Sequence, residues 1–169
     1  MIDSPLTGLY TGLNIGLFIL FAVLHRWALW PMHALWAVAL VGLGNMIGGV
    51  FLVDGVPLYT ADFIGPLAYD KFFHATASGA MVIIAWEAMK RWAGDDFQYG
   101  PMLFVMTFLV VMGGGAVVEI AELIGSSVSD VSVGDYANNA LDLVANAVGA
   151  IVVIVAIWWV ERIVQEAAQ

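Results

Sequence analysis

Five long apolar stretches, separated by short segments rich in polar residues, glycine or proline, dominate the pattern of hydrophobic and polar positions along the chain. They cover about residues 6–29, 34–53, 67–91, 101–124 and 139–162. Each stretch has about the 20 residues that a helix needs to cross a bilayer. The stretches are continuously apolar, whereas the strands of a transmembrane barrel would alternate. The pattern predicts an all-α, polytopic integral membrane helix bundle with about five transmembrane helices, forming a single membrane domain over residues 1–169.

The composition excludes an ordinary soluble domain. Hydrophobic residues make up 62% of the chain and charged residues only 11%, against roughly 25% charged in soluble proteins. The chain has no cysteine, which excludes disulfides and thiolate metal sites. Its net charge of -9 gives no basic surface to neutralise phosphates, so we expect membrane lipids and no nucleic acid as partners.

The distribution of basic residues predicts the orientation in the membrane. Arg26, Lys90, Arg91 and Arg162 all fall on one side of a five-helix arrangement. Lysine and arginine accumulate in the cytoplasmic segments of membrane proteins. We therefore predict a multi-pass protein of the cell membrane, with the N-terminus outside and the C-terminus in the cytoplasm.

Polar residues recur in pairs near the outer ends of three predicted helices. The pairs are Asp70 with His74, Glu119 with Glu122, and Asp142 with Asn146. Each pair is three or four residues apart, so its members share one helical face. All of them lie within about 10 Å of the outer end at 1.5 Å per residue. Ionisable groups inside a membrane are costly and often functional, so we predict one outward-facing carboxylate and histidine pocket.

A bound cation would explain how this pocket tolerates its charge. Several carboxylates cannot be ionised close together in a low dielectric without compensation. We predict Asp70, His74, Glu119, Glu122 and Asp142 as ligands of a divalent metal ion, either magnesium, manganese, calcium or zinc. His74 is a ligand or a general base, and Lys71 neutralises a carboxylate or a substrate anion. Supporting residues are predicted to be Tyr69, Asp135, Asn139 and Asn146.

Three functions are compatible with such a pocket. The first is divalent cation binding for hydrolytic or transfer chemistry on a lipid or envelope substrate. The second is a small transporter coupled to protons or cations, since such carriers use membrane carboxylates and histidines. The third is a non-catalytic subunit or scaffold, in which the polar groups hydrogen-bond between helices. The sequence leaves all three open, and with them the question of whether the protein is an enzyme.

Small residues recur at the four-residue spacing that allows helices to approach closely. Examples are Gly8, Gly12 and Gly16 in the first stretch, Gly44 and Gly48 in the second, and Ala145 and Gly149 in the fifth. Such faces mediate helix association in membranes. We therefore predict that the glycine-rich faces support a homo-oligomer or a larger membrane complex.

The ordered polar motifs resemble those of a known protein family. Tyr69-Asp70-Lys71-xx-His74, Glu119-xx-Glu122 and Asp142-Leu143-xx-Asn146-xx-Gly149-Ala150 are similar in order and spacing to motifs of the YjdF-like uncharacterised inner-membrane proteins. They resemble the VanZ-like family more loosely. The resemblance covers about the last hundred residues and implies a small polytopic membrane protein, without implying a mechanism. The VanZ-like likeness implies a connection with the cell envelope.

Overall fold

A computed structural model describes residues 7–64, 67–94, 100–128 and 136–167. These residues contain five helices: α1 Thr7–Ala28, α2 Met32–Val50, α3 Tyr69–Ala93, α4 Pro101–Val128 and α5 Tyr136–Ala167. Every one is long and apolar enough to cross a membrane. The prediction of an all-α membrane bundle is therefore confirmed.

The helix ends follow local sequence signals. Pro31 precedes α2, and Pro101 is the first residue of α4, where its missing N–H costs no helical hydrogen bond. Gly94 follows α3 with a φ of 77°, a backbone conformation that glycine adopts easily. Proline and glycine thus mark helix ends at one side of the bundle.

Several helix boundaries differ from the predicted ones, at both ends of the bundle. The second stretch was predicted to continue to residue 53, but α2 ends at Val50 because the chain turns into a hairpin there. The fourth helix continues to Val128, and the fifth begins at Tyr136 instead of residue 139. Polar residues outside the hydrocarbon are compatible with helix, so hydropathy alone placed these boundaries too early or too late.

Helix α3 is central, because it contacts each of the other four helices. Its most extensive contact is with α5. The residue numbers of contacting partners in the two helices differ by a nearly constant amount. Lys71 contacts Asp142 near one end, and Lys90 contacts Glu161 near the other. A constant separation means that α3 and α5 run parallel, so equivalent turns of the two helices meet at the same depth.

Close approach of α3 and α5 depends on small residues. A Cβ added to Gly149 would overlap the backbone of Ala75, and one added to Gly79 would lie 2.8 Å from a methyl group of Val153. Below this level Val82, Val111 and Ala150 form a buried apolar cluster among α3, α4 and α5. The crossing predicted from Ala145 and Gly149 is present at Gly149.

The other glycine motifs have different surroundings. The face of α2 with Gly44 and Gly48 holds aromatic rings, since a Cβ at Gly44 would lie 3.1 Å from Phe73 and one at Gly48 would lie 2.7 Å from Tyr69. In contrast, no described atom lies within 4 Å of a Cβ built at Gly8, Gly12 or Gly16. This face of α1 is open in the described chain, and its predicted role in association stays a prediction.

The connection between α2 and α3 contains two short hairpins that hydropathy did not predict. Strand β1 (Leu52–Val53) pairs with β2 (Val56–Pro57), and β3 (Asp62–Ile64) pairs with β4 (Leu67–Ala68). The first turn is Asp54-Gly55, with φ values of 51° and 86°. An Asp-Gly pair with positive φ at both positions is a strong hairpin signal. This turn could therefore have been predicted from the sequence.

Between the hairpins, Tyr59 packs over the outer ends of the first three helices. Its ring lies 5.5 Å from that of Tyr10 and 5.6 Å from that of Tyr69, between ring centres. Its hydroxyl donates to Asn45 Oδ1 at 2.6 Å. Burial is the main cause that raises the pKa of Tyr59, so the hydroxyl stays protonated as the donor. The connection is thereby fixed beside the start of α3.

Single-cysteine variants would test the predicted orientation, because the native chain has no cysteine. Asp54 lies in the first hairpin turn and Trp92 in the last turn of α3, at opposite ends of the bundle. An impermeant thiol reagent added to intact cells should label Asp54→Cys and leave Trp92→Cys unlabelled until the membrane is permeabilised. The reverse pattern would contradict the orientation predicted from the basic residues.

Candidate functional site

The candidate site lies where α3 and α5 meet near their first turns. Asp70, Lys71 and His74 come from the start of α3, and Asp142 comes from the second turn of α5. Asp70 is in the first turn of its helix, where the helix dipole favours a negative charge. Because the two helices are parallel and close, the polar face of each one points at the other.

Lys71 joins the two helices through its ammonium group. Its Nζ donates to Asp70 Oδ2 at 2.8 Å, to Asn138 Oδ1 at 2.7 Å and to Asp142 Oδ1 at 2.6 Å. Asp142 is fully buried, and its Oδ2 accepts a hydrogen bond from Asn138 Nδ2 at 2.8 Å. An ammonium group has three N–H donors, so these three oxygens satisfy it.

The ring of His74 faces polar groups on both sides. On one side, Nδ1 lies 3.3 Å from Asn146 Oδ1, which also accepts a hydrogen bond from Ser78 Oγ at 2.7 Å. An amide oxygen can only accept, so with the amide in this orientation Nδ1 carries the proton. On the other side, Nε2 faces carboxylate oxygens, at 3.5 Å from Asp70 Oδ1 and 3.7 Å from Asp142 Oδ1.

Asp70, His74 and Asp142 form a group that could hold a metal ion. Each offers one ligand atom, and the three atoms lie within 4.8 Å of one another. Bonds of about 2.1 Å in a tetrahedral site would place ligand atoms about 3.4 Å apart. The measured distances from Nε2 to the two carboxylate oxygens are close to this value. A cation between Nε2 and the two carboxylate oxygens would relieve the repulsion of the carboxylates.

Glu119 of α4 lies on the opposite side of the imidazole. Its Oε1 is 3.6 Å from His74 Nδ1, and the residue is only 5% exposed. Neither carboxylate oxygen has a hydrogen-bond partner among the described residues. A buried polar group without a partner is costly, and one aimed at a metal-ligand candidate indicates an incompletely satisfied site. Glu119 can orient the imidazole from Nδ1, as carboxylates commonly do behind metal-binding histidines.

The remaining predicted site residues have other positions. Glu122 is half-buried, one turn further along α4 from Glu119, and is not part of the three-residue group. The Tyr69 hydroxyl donates to the carbonyl of Gly44 at 2.8 Å and so anchors α3 to α2, away from the carboxylates. Asp135 lies outside the described residues. The structure therefore separates the predicted five-ligand set into one compact group and two glutamates of α4.

Two contributors were missing from the predicted site. Asn138 was not among the predicted residues, whereas its neighbour Asn139 was, yet it is Asn138 that contacts both Lys71 and Asp142. Ser78 was also missed, although it bonds to Asn146. The signal was available, because Asn138, Asp142 and Asn146 share a four-residue spacing, as do Asp70, His74 and Ser78.

The polar contacts around His74 extend to Ser78, one turn further along α3. Beyond Ser78, the interface of α3 with α4 and α5 is filled by the apolar cluster of Val82, Val111 and Ala150. The next described ion pairs along this interface join Lys90 with Glu87 and Glu161 at the inner end. Ser78 and Glu87 are about 13 Å apart along the helix axis at 1.5 Å per residue. The candidate site is thus a cluster of polar side chains at one end of the bundle.

Comparison with known proteins adds a family. A family model described as "Predicted membrane protein (DUF2238)" matches residues 7–162. The match spans all five helices, including the first two, which the motif resemblance did not cover. No curated protein and no solved structure matches the chain.

Proposed function

Since the chain belongs to the DUF2238 family of predicted membrane proteins, whose description assigns no activity, we propose a function from the site itself. A divalent cation binds to Asp70, His74 and Asp142 in an outward-facing pocket of a multi-pass cell-membrane protein. We also propose the closer YjdF-like relationship, with which the family match is consistent. The binding proposal depends on the geometry around His74.

One observation carries the proposal: two carboxylate oxygens lie close to the same imidazole nitrogen. His74 Nε2 is 3.5 Å from Asp70 Oδ1 and 3.7 Å from Asp142 Oδ1. Nδ1 is engaged by Asn146 on the far side of the ring, which leaves Nε2 as the metal-binding nitrogen. The buried Glu119 carboxylate, which has no hydrogen-bond partner among the described residues, is a second and independent indication. A cation on Nε2 would make the Nδ1 proton a stronger donor, and the Glu119 carboxylate is placed to accept it.

The ligand set favours some metals over others. Magnesium and calcium prefer six or more oxygen ligands. One imidazole with two carboxylates suits zinc better, and manganese also accepts this mixture. We therefore propose zinc or manganese ahead of magnesium or calcium. Three protein ligands would leave at least one coordination position open to a substrate or a water molecule.

An open position is what hydrolytic or transfer chemistry requires. A cation held there polarises a carbonyl or phosphoryl oxygen and activates a bound water molecule. The pocket lies at the end of the bundle predicted to face outward, beside hairpins that expose Phe63 and Ile64. We therefore propose a lipid or another envelope molecule as the substrate. In this proposal His74 is a ligand, so it does not act as the general base.

The apolar cluster below the pocket argues against the transporter alternative. Val82, Val111 and Ala150 are buried and interrupt the polar groups between the two ends of the α3 interface. Proton and ion carriers need polar or hydrated groups along the whole path. The scaffold alternative makes a different prediction, because a purely structural network has no response to divalent ions.

Cation-dependent thermal stabilisation would test the proposal. Protein purified in detergent and stripped with a chelator should gain thermal stability on addition of zinc or manganese. The stabilisation should approach about 2.7 kcal/mol at a hundred times Kd. Asp70→Asn removes a ligand charge while keeping side-chain size. The metal concentration needed for the same gain in stability should therefore rise at least tenfold.

Glu161→Gln is a matched control, because Glu161 pairs with Lys90 at the opposite end of the same interface. This variant should keep the native response to metal. Equal metal responses in the native protein and Asp70→Asn would contradict the site. A native protein that does not respond at all would favour the scaffold.

A further inference from the structure

Lys71 Nζ contacts one of the carboxylate oxygens that face the candidate metal position, and we infer that it is an internal competitor that makes the site selective for divalent over monovalent ions. The inference rests on the proposed function, since it concerns the same pocket. It assigns Lys71 a role in ion selectivity that differs from charge neutralisation alone.

The competition follows from a shared oxygen. Asp142 Oδ1 accepts from Lys71 Nζ at 2.6 Å, and the same atom is one of the oxygens that faces His74 Nε2. A metal ion bound to this oxygen would lie about 2 Å from it. Two cations would then share one carboxylate oxygen at short range, and their repulsion is strong in a poorly hydrated site. Metal binding therefore requires the ammonium group to leave Asp142 Oδ1.

The structure offers Lys71 a place to move. Asn138 already accepts from Nζ through Oδ1 at 2.7 Å, and its backbone carbonyl oxygen lies 3.5 Å away. The Lys71 side chain is 16% exposed, whereas that of Asp142 is 1% exposed. A long lysine side chain near a helix end can extend its charged group toward the interface. The ammonium group can thus move outward, past Asn138, without becoming a buried unpaired charge.

Selectivity follows from the charge that is exchanged. A monovalent ion that displaces the ammonium group replaces one positive charge by another, so it gains no electrostatic attraction to Asp70 and Asp142. A divalent ion brings one additional positive charge and gains that attraction. The Glu119 carboxylate, whose Oε1 lies 3.6 Å from His74 Nδ1, adds to the gain. Lys71 therefore weakens the binding of every cation, but only divalent ions overcome the competition.

The same geometry limits a second predicted role of Lys71, the neutralisation of a substrate anion. Before metal binds, its three N–H donors are used by Asp70, Asn138 and Asp142. It has no further donor for a substrate anion in this state. Neutralisation of a substrate anion by Lys71 would thus follow metal binding.

Lys71→Met tests the inference, because methionine keeps much of the side-chain length and removes the charge. With zinc or manganese as the probe, Kd measured by titration calorimetry should decrease at least about tenfold relative to the native protein. Sodium at about 0.1 M should then compete with the divalent ion in Lys71→Met, but not in the native protein. Lys90→Met is the matched control, since it changes the only other lysine, at the inner end. It should leave both measurements unchanged.

The possible failures can be distinguished. Divalent binding by the native protein, with equal or weaker binding by Lys71→Met, would overturn the inference and leave the proposed site intact. Absence of divalent binding by the native protein would overturn the proposed function and the inference together. If Lys71→Met does not fold, Lys71→Gln removes the same charge while keeping a hydrogen-bond donor, and the same two measurements apply. Strong sodium competition in the native protein would also overturn the inference.

Discussion

Gly149→Ala is expected to destabilise the bundle by about 3 kcal/mol, at or above the upper end of the usual cost of overpacking. The added methyl group would overlap the backbone of Ala75 in α3. Backbone atoms within a helix cannot move aside as a flexible side chain can, so α3 and α5 would have to separate. The purified protein should show a clearly lower Tm.

Gly113→Ala is the control for this prediction. Gly113 lies inside α4, and no described atom is within 4 Å of a Cβ built there. Alanine has a higher helix propensity than glycine by up to about 1 kcal/mol, so this variant should be neutral or slightly stabilised. Equal Tm values for Gly149→Ala and the native protein would contradict the described approach of α3 to α5.

The effect of Gly149→Ala should also reach the site. Gly149 lies one turn beyond Asn146 and two turns beyond Asp142, so separation of the helices at Gly149 would lengthen the contacts to Lys71 and His74. Metal ligands must be held closely to keep a defined geometry. The small residues at the crossing are therefore a requirement for the pocket as well as for stability.

The helices were predictable because their signal is strong and local. Continuous apolar stretches have one stable solution in a bilayer, and prolines such as Pro31 and Pro101 mark helix starts. The helix boundaries were less predictable, because the hydropathy signal disappears at the polar ends of a helix while the helix continues. The start of α5 at Tyr136 illustrates this, since its first turn is polar.

That boundary also bears on Asn138, which was not among the predicted supporting residues. With the helix assumed to start at residue 139, Asn138 lay outside it and its relation to Asp142 was hidden. In the structure Asn138 is four residues before Asp142 on the same face. A polar residue at a helix end can therefore belong to a site that hydropathy excludes from the helix.

The sequence could not predict which faces of the helices pack against each other. Helical spacing placed Asp70 with His74, and Asp142 with Asn146, but gave no information on which faces meet. The parallel packing of α3 and α5 brings both pairs together, while Glu119 approaches from α4 on the other side of the imidazole. The distinction between ligands and an orienting carboxylate therefore depends on tertiary structure.

The salt bridge between Lys71 and Asp142 should show strong coupling in the metal-free protein. Asp142→Asn leaves the Lys71 ammonium group, which is mostly buried, with one ionised partner in place of two. Lys71→Met leaves the buried Asp142 carboxylate without its cation. Removing one member of a buried ion pair costs about 3–5 kcal/mol, because the remaining charge is uncompensated. Each single variant should therefore lose much of this amount in unfolding free energy.

The double variant should be less destabilised than the sum of the two single variants, because no charge remains unpaired between these positions. A favourable coupling of about 2 kcal/mol or more is expected for groups in direct contact. Unfolding in detergent with a chelator present would measure all four free energies. Additive losses would show that Lys71 and Asp142 do not interact as the 2.6 Å contact indicates. The inference about Lys71 depends on this contact, because an ammonium group that is not held by Asp142 cannot compete with a metal ion there.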